Sequence, residues 1–173
     1  MMQNAMKSMR LVQMQARAFS YNYSSSSHPK VWMTVAKDGH SAGRMVFELY
    51  SSHTPSITEN FAAFATGEAS NQRSFAGSSF CCGWSGLGVV GGDFCGHNLG
   101  ANDMRVEDEN LEMRHHKRGL VTMFNEGPNS NGSRFMITFG EANNLDGYNN
   151  VVGELVDGES VLSELESSVN REG

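Results

Sequence analysis

Gly119-Leu120-Val121-Thr122-Met123-Phe124, then Asn125-Glu126-Gly127-Pro128-Asn129, then Ser133-Arg134-Phe135-Met136-Ile137-Thr138-Phe139: two short apolar runs hold a turn between them. Runs of this length, rich in β-branched and aromatic residues and bounded by Gly, Pro and Asn, predict strands. Working upstream, Val31 to Ala36 alternates and is turned by Asp38-Gly39, and Arg44 to Tyr50 alternates in the same way, so the two read as a hairpin. Thr54 then offers an N-cap, Pro55 suits a first helical position, and Ile57, Phe61 and Phe64 make an apolar stripe that ends at Gly67. Residues 75 to 100 are dense in glycine and short apolar pieces. Downstream come a strand from Val151 to Val156, a turn at Asp157-Gly158, and a helix with Val161, Leu162, Leu165 and Val169 on one side. Many short strands with two helices predict a mostly β, capped barrel.

The 173 residues fit one domain preceded by an arm, residues 1–30, with the domain over 31–173. Charge divides at the same place. The arm holds Lys7, Arg10, Arg17 and Lys30 without an acid, a charge of +4, which leaves the rest of the chain at -10. An acidic body argues against direct contact with nucleic acid, which needs clustered Lys and Arg to displace counterions. No stretch approaches the roughly 20 apolar residues of a membrane-spanning helix.

Wound at 100° per residue, Met2, Ala5, Met6, Met9, Val12, Ala16 and Phe19 share one side of the arm and the basic residues adjoin them, which predicts a basic amphipathic helix. With the Ser24 to Ser27 run and no acid, this is the pattern of a mitochondrial transit peptide. Arg17-Ala18-Phe19-Ser20 resembles a processing site of matrix presequences. The expected location is the mitochondrion, in the matrix or at the inner membrane, and residues 1–20 would also suit peripheral contact with a membrane surface.

Cys81, Cys82 and Cys95 are odd in number and read as free thiols; Cys95 and His97 sketch a partial metal site without a Cys-x-x-Cys pair, so no metal or other cofactor is expected. His115 and His116 sit in Met113-Arg114-His115-His116-Lys117-Arg118, which reads as a solvated loop.

Gly43-Arg44-Met45-Val46-Phe47-Glu48-Leu49, Thr54-Pro55 through Glu59-Asn60-Phe61, Thr66-Gly67-Glu68, Gly91-Gly92-Asp93-Phe94, Glu107-Asp108-Glu109-Asn110, Gly127-Pro128-Asn129-Ser130-Asn131-Gly132-Ser133 and Leu145-Asp146-Gly147 follow one another in an order and spacing that resembles the cyclophilins, peptidyl-prolyl isomerases, over about residues 31–170. The resemblance implies an antiparallel barrel of eight strands closed by two helices, with a peptide groove outside. It also implies that this groove is altered. The family's His-Arg pair is Cys81-Cys82, so the catalytic arginine position is Cys82; its Phe-Met pair is Leu87-Gly88, its groove glutamine Val90, its Ala-Asn-Ala Phe124-Asn125-Glu126, its Gln-Phe-Phe Arg134-Phe135-Met136, and its tryptophan and later histidine Asn144 and Asn149. Asn125 and Leu145 match. Family members also return through a last strand after the second helix, and no segment is expected to supply it here, which leaves a barrel edge for the arm or a partner to cover.

The expected function is therefore a non-catalytic, cyclophilin-like structural or binding subunit of a large mitochondrial assembly, a respiratory-chain complex before a mitochondrial ribosome. Its partners would be other protein subunits contacting the arm and the open barrel edge. The alternatives are an active mitochondrial prolyl isomerase that assists folding, with Arg134 as a substitute cation, and a redox or metal-sensing module using Cys81, Cys82 and Cys95.

Overall fold

The computed structural model describes residues 28–94 and 98–169, together with the backbone of 7–17 and 170–171. Eight strands run in the order β1 (Lys7–Arg17), β2 (Lys30–Lys37), β3 (His40–Leu49), β4 (Ser79–Trp84), β5 (Gly88–Gly91), β6 (Leu120–Met123), β7 (Phe135–Thr138) and β8 (Val151–Asp157). Helix α1 (Pro55–Thr66) follows β3, α2 (Glu159–Arg171) follows β8, and a short 3-10 turn covers Asn143–Leu145. The sheet closes on itself in the order β1-β2-β3-β8-β6-β7-β5-β4, and every paired neighbour is antiparallel.

Local sequence explains the hairpin that starts the domain. Asp38 and Gly39 both have positive φ, 50° and 80°, the backbone of a tight two-residue turn whose twist matches the flanking strands. Alternation then decides the faces: Val31, Met33 and Val35 of β2, and Met45, Phe47 and Leu49 of β3, are buried, while their neighbours are not. The register slips between Val35 and Ala36, opposite Gly43. Gly43 has φ +127°, and a Cβ there would come within 2.8 Å of Val161 on α2, so the bulge lets the helix settle close against the strand.

In the core, Phe61 of α1 meets Phe75 and Phe135, Phe64 meets Phe75, and Phe80 meets Phe135. Phe61, Phe75 and Phe135 have ring centroids 5.0–5.2 Å apart, tilted or edge-on, as aromatic quadrupoles prefer. Val161, Leu162, Leu165 and Val169 of α2 join the same core.

Two segments differ from the sequence reading. The arm is not a helix where it is described: Lys7–Arg17 is strand β1. It pairs with β2 from Val12↔Lys37 to Arg17↔Trp32 and with β4 at Lys7↔Gly83, Ser8↔Cys82, Val12↔Phe80 and Gln13↔Ser79. The physical reason is backbone satisfaction. Strands β2 to β8 alone make a curled sheet with edges at β2 and β4, and no strand follows α2 among the described residues. One strand laid between those edges pairs both rows of N-H and C=O groups. Of the two candidates expected to cover the open edge, the arm or a partner, it is the arm that occupies it. The rest of the arm, residues 1–6 and 18–27, lies outside the described residues.

The second difference is His115, which is buried, whereas His116 is exposed as expected. Its Nδ1 is 2.9 Å from Asp146 Oδ1 and its Nε2 3.0 Å from Thr122 Oγ1; its backbone N-H also reaches Asp146 Oδ1 at 2.8 Å. A carboxylate only accepts, so Nδ1 carries a proton; the Thr122 hydroxyl, which donates to Asn150 O at 3.0 Å, lies against Nε2. Burial holds the imidazole below its ordinary pKa against the upward pull of Asp146, and the bonds from His115 hold the Asp146 carboxyl below the usual range.

Thr54 does not cap α1 through its side chain. The Glu109 carboxylate does so instead, accepting from Ser56 N at 3.0 Å and Ile57 N at 2.9 Å. Beside it Asp108 accepts from Asn131 Nδ2, Asn150 Nδ2 and Asn129 N at 2.7–2.8 Å, so the acidic run at 107–110 ties α1 and the 127–133 loop to the start of β8.

Two outcomes follow from this architecture. A chain lacking residues 1–17 exposes both edges and should lose on the order of 10 °C in Tm, with faster amide exchange in β2 and β4 and little change in β6 and β7. For His115, the unfolded ring takes up a proton near pH 6.5 that the folded ring resists, so stability should fall as pH drops from about 7 to 5. Thermal scans of His115→Gln across that range should show a flatter dependence.

Candidate functional site

The groove implied by the resemblance lies on the outer face of β4, β5 and β7. Cys82, Val90 and Met136 form a small apolar cluster there, separate from the barrel core, with Cys81, Trp84, Leu87, Phe124 and Leu145 packed against it. The strands bring these residues together: Cys82 pairs with Val90, and Val90 with Met136. Cys82 is 3% exposed. Trp84 and Phe124 lean on each other across the cluster with centroids 5.8 Å apart. Large rings thus stand on the surface where a peptide would lie.

Of the two positions expected to match a groove, Leu145 joins this cluster from the 3-10 turn, and Asn125 follows Phe124 at its rim. Asn125 Nδ2 donates to Tyr148 O at 2.8 Å, and its Oδ1 lies 3.4 Å from Asn149 Nδ2. Asn149 in turn donates to Met123 O at 2.9 Å. The amides that border the groove are therefore engaged with the neighbouring backbone.

Arg134 is close to the cluster but held elsewhere. Its Nη1 donates to Glu126 Oε1 at 3.0 Å, its Nε is 3.5 Å from Asp93 Oδ1, and its side chain is 16% exposed. Arg105 binds the other oxygen of Glu126 at 2.9 Å. A guanidinium fixed between two carboxylates has part of its donor fork engaged and much of its charge balanced.

Sequence reading had no means of finding two features of this site. One is the contact between Cys81 and Cys82, whose sulfurs lie 3.4 Å apart although consecutive strand residues usually point to opposite faces. The other is Asn98, which donates to Phe124 O and Ser130 O at 3.1 and 3.3 Å and accepts from Arg134 N at 3.0 Å, bracing the groove from beneath. Its one sequence signal was its place within the glycine-dense stretch.

Elsewhere, a cavity of about 610 Å³ opens between α1 and residues 101–109, lined among others by Glu59, Arg105 and Glu107. Its Asp108 and Glu109 carboxylates serve the backbone and helix contacts described above. The Thr122–His115–Asp146 chain has the connectivity of a nucleophile, base and orienting acid, but Thr122 and His115 are sealed from solvent. Cys95 and His97 lie outside the described residues, and among the described residues no three His, Cys, Asp or Glu side chains are grouped to hold a metal ion. No described helix is long and apolar enough to cross a membrane.

A family model for the cyclophilin type peptidyl-prolyl cis-trans isomerase domain matches residues 32–173, the stretch that forms β2 to β8 and both helices. That match takes in most of the chain, and the protein belongs to the cyclophilin-type peptidyl-prolyl cis-trans isomerase family.

Proposed function

We propose that this cyclophilin acts as a non-catalytic structural or binding subunit of a large mitochondrial assembly. The observation that carries the reading is Cys82. Rotating a prolyl bond means crossing a barrier of about 20 kcal/mol, and a charged donor lowers it by stabilising the twisted amide. The position to which the family resemblance assigns that donor holds a 3% exposed thiol within an apolar cluster. A thiol is a weak, uncharged donor. Trp84 and Phe124 add bulk to the surrounding surface, and the substitute cation Arg134 is engaged by Asp93 and Glu126.

Assembly within mitochondria is supported by the arm, which carries +4 on 30 residues and is joined to a body of -10. Because β1 closes the barrel, processing near Ser20 would remove a strand of the fold. The proposal therefore includes retention of the arm. Partner subunits would meet the outside of the barrel and the arm, and a respiratory-chain complex suits the acidic body better than an RNA-rich ribosome.

Native purification of the tagged protein from mitochondria should recover it in one stoichiometric large complex with residues 1–20 still attached. A trimmed, free monomer would overturn the subunit reading. In a proline-peptide isomerisation assay the protein should match the buffer rate, and Cys82→Arg should add no activity while costing roughly 3 kcal/mol or more by burying an unpaired charge. Acceleration by the unmodified protein that Arg134→Ala abolishes would establish the isomerase instead.

A further inference from the structure

Cys81 and Cys82 are neighbours in the chain and in space, and the strand pairing accounts for it. Between β1 and β4 the register passes from Val12↔Phe80 to Ser8↔Cys82, and between β4 and β5 it begins at Cys82↔Val90. Cys81 has no partner in either register. The ladder is interrupted at that residue, which frees its side chain from strict alternation and lets its sulfur lie 3.4 Å from that of Cys82 and 3.6 Å from Val90 O.

The two thiols differ in access. Cys81 is half-buried and lines a surface cavity of about 450 Å³ together with Ser74, Gly77, Ser79, Asp93 and Phe94. Cys82 is closed off behind it. The contact with Cys82 holds the Cys81 thiol below its ordinary pKa, with help from its backbone and Arg134, against burial and Asp93. The same contact, together with burial, pushes the Cys82 thiol well up. An accessible sulfur inclined to the thiolate, with a protonated sulfur in contact behind it, is the arrangement of an attacking and a resolving cysteine.

We propose that Cys81 and Cys82 form a peroxide-sensitive dithiol that closes to a disulfide between consecutive residues. The Cys81 thiolate attacks one oxygen of hydrogen peroxide; an S-O bond forms, the O-O bond breaks, and the departing hydroxide takes a proton and leaves as water. Cys81 is now a sulfenic acid, oxidised by two electrons. The Cys82 sulfur then attacks the Cys81 sulfur; the S-S bond forms, the S-O bond breaks, and the leaving hydroxide takes the Cys82 proton as a second water. Two thiols have become one disulfide and one peroxide two waters.

Geometry also makes the product reversible and mechanically active. Consecutive Cα atoms are about 3.8 Å apart across a trans peptide, short of the roughly 4.4–6.8 Å of ordinary disulfides. The ring therefore forms only with local backbone rearrangement, and a strained disulfide is readily reduced. Cys82 is paired with Ser8 on one side and Val90 on the other, so the rearrangement reaches the seam where the arm closes the barrel.

The test is peroxide titration of the full chain carrying Cys95→Ser, followed by iodoacetamide and mass spectrometry. The expected product is lighter by two hydrogens, is protected from alkylation at both Cys81 and Cys82, and returns to the dithiol with dithiothreitol. Added Cys82→Ser should leave a sulfenic acid on Cys81 that dimedone traps, whereas Cys81→Ser should leave Cys82 unmodified. Amide exchange in β4 and β1 should quicken on oxidation. Progress of Cys81 to a sulfinic acid with Cys82 still alkylated, a disulfide between two chains, or inertness of both thiols at peroxide levels that oxidise glutathione would overturn the proposal.

Discussion

A curled sheet has two edges, and the structure depends on how they are covered. Strands β2 to β8 wrap around a phenylalanine-rich core, but β2 and β4 at their ends cannot reach each other. One strand fits between them, a gap of about two strand spacings, roughly 10 Å. β1 fills it and contributes antiparallel ladders to both sides. Bulges in β1, in the β2–β3 hairpin and where β8 meets β3 and β6 supply the curvature that brings the edges this near. Without that closure, Val31, Met33, Val35 and Phe80 would line a core open along one side.

The outer face shows a different constraint. Once the position expected to carry a positive charge is a thiol, the carboxylates around it need another cation. Arg134 meets Asp93 and Glu126, Arg105 takes the second oxygen of Glu126, and the space beside Cys82 is apolar. Cys82, Val90 and Met136 pack on one another, with Trp84, Leu87, Phe124 and Leu145 against them. The same packing sets Cys82 against Cys81, with the two sulfurs 3.4 Å apart.

Much of the fold was legible in the sequence because its signals are local. Asp38-Gly39 can be read as a hairpin turn because positive φ suits those residues, Pro55 and Gly67 bracket α1, and the spacing of Val161, Leu162, Leu165 and Val169 marks a helix face. Features that failed to read correctly depend on partners far along the chain. His115 looked solvated among its basic neighbours, yet its ring is satisfied by Asp146, 31 residues away. Thr54 stands at the N-cap position as read, yet the side chain that takes the N-H groups of the helix start is that of Glu109, 52 residues downstream of Ile57.

The arm shows the division most clearly. Its composition, basic and free of acids, is a property of the sequence alone, as are the order of the family's motifs and the thiol at position 82. Its conformation is not. Residues 7–17 have a spacing that suits one side of a helix, and an isolated helix of that length is marginal in water; two unpaired sheet edges offer far more backbone hydrogen bonds than a lone helix can retain. Sequence alone determined the β2–β3 hairpin, the strands at β6, β7 and β8, and both helices. Tertiary structure decided what became of the arm, of His115 and of the two adjacent sulfurs, because each is governed by groups that come together only once the barrel has closed.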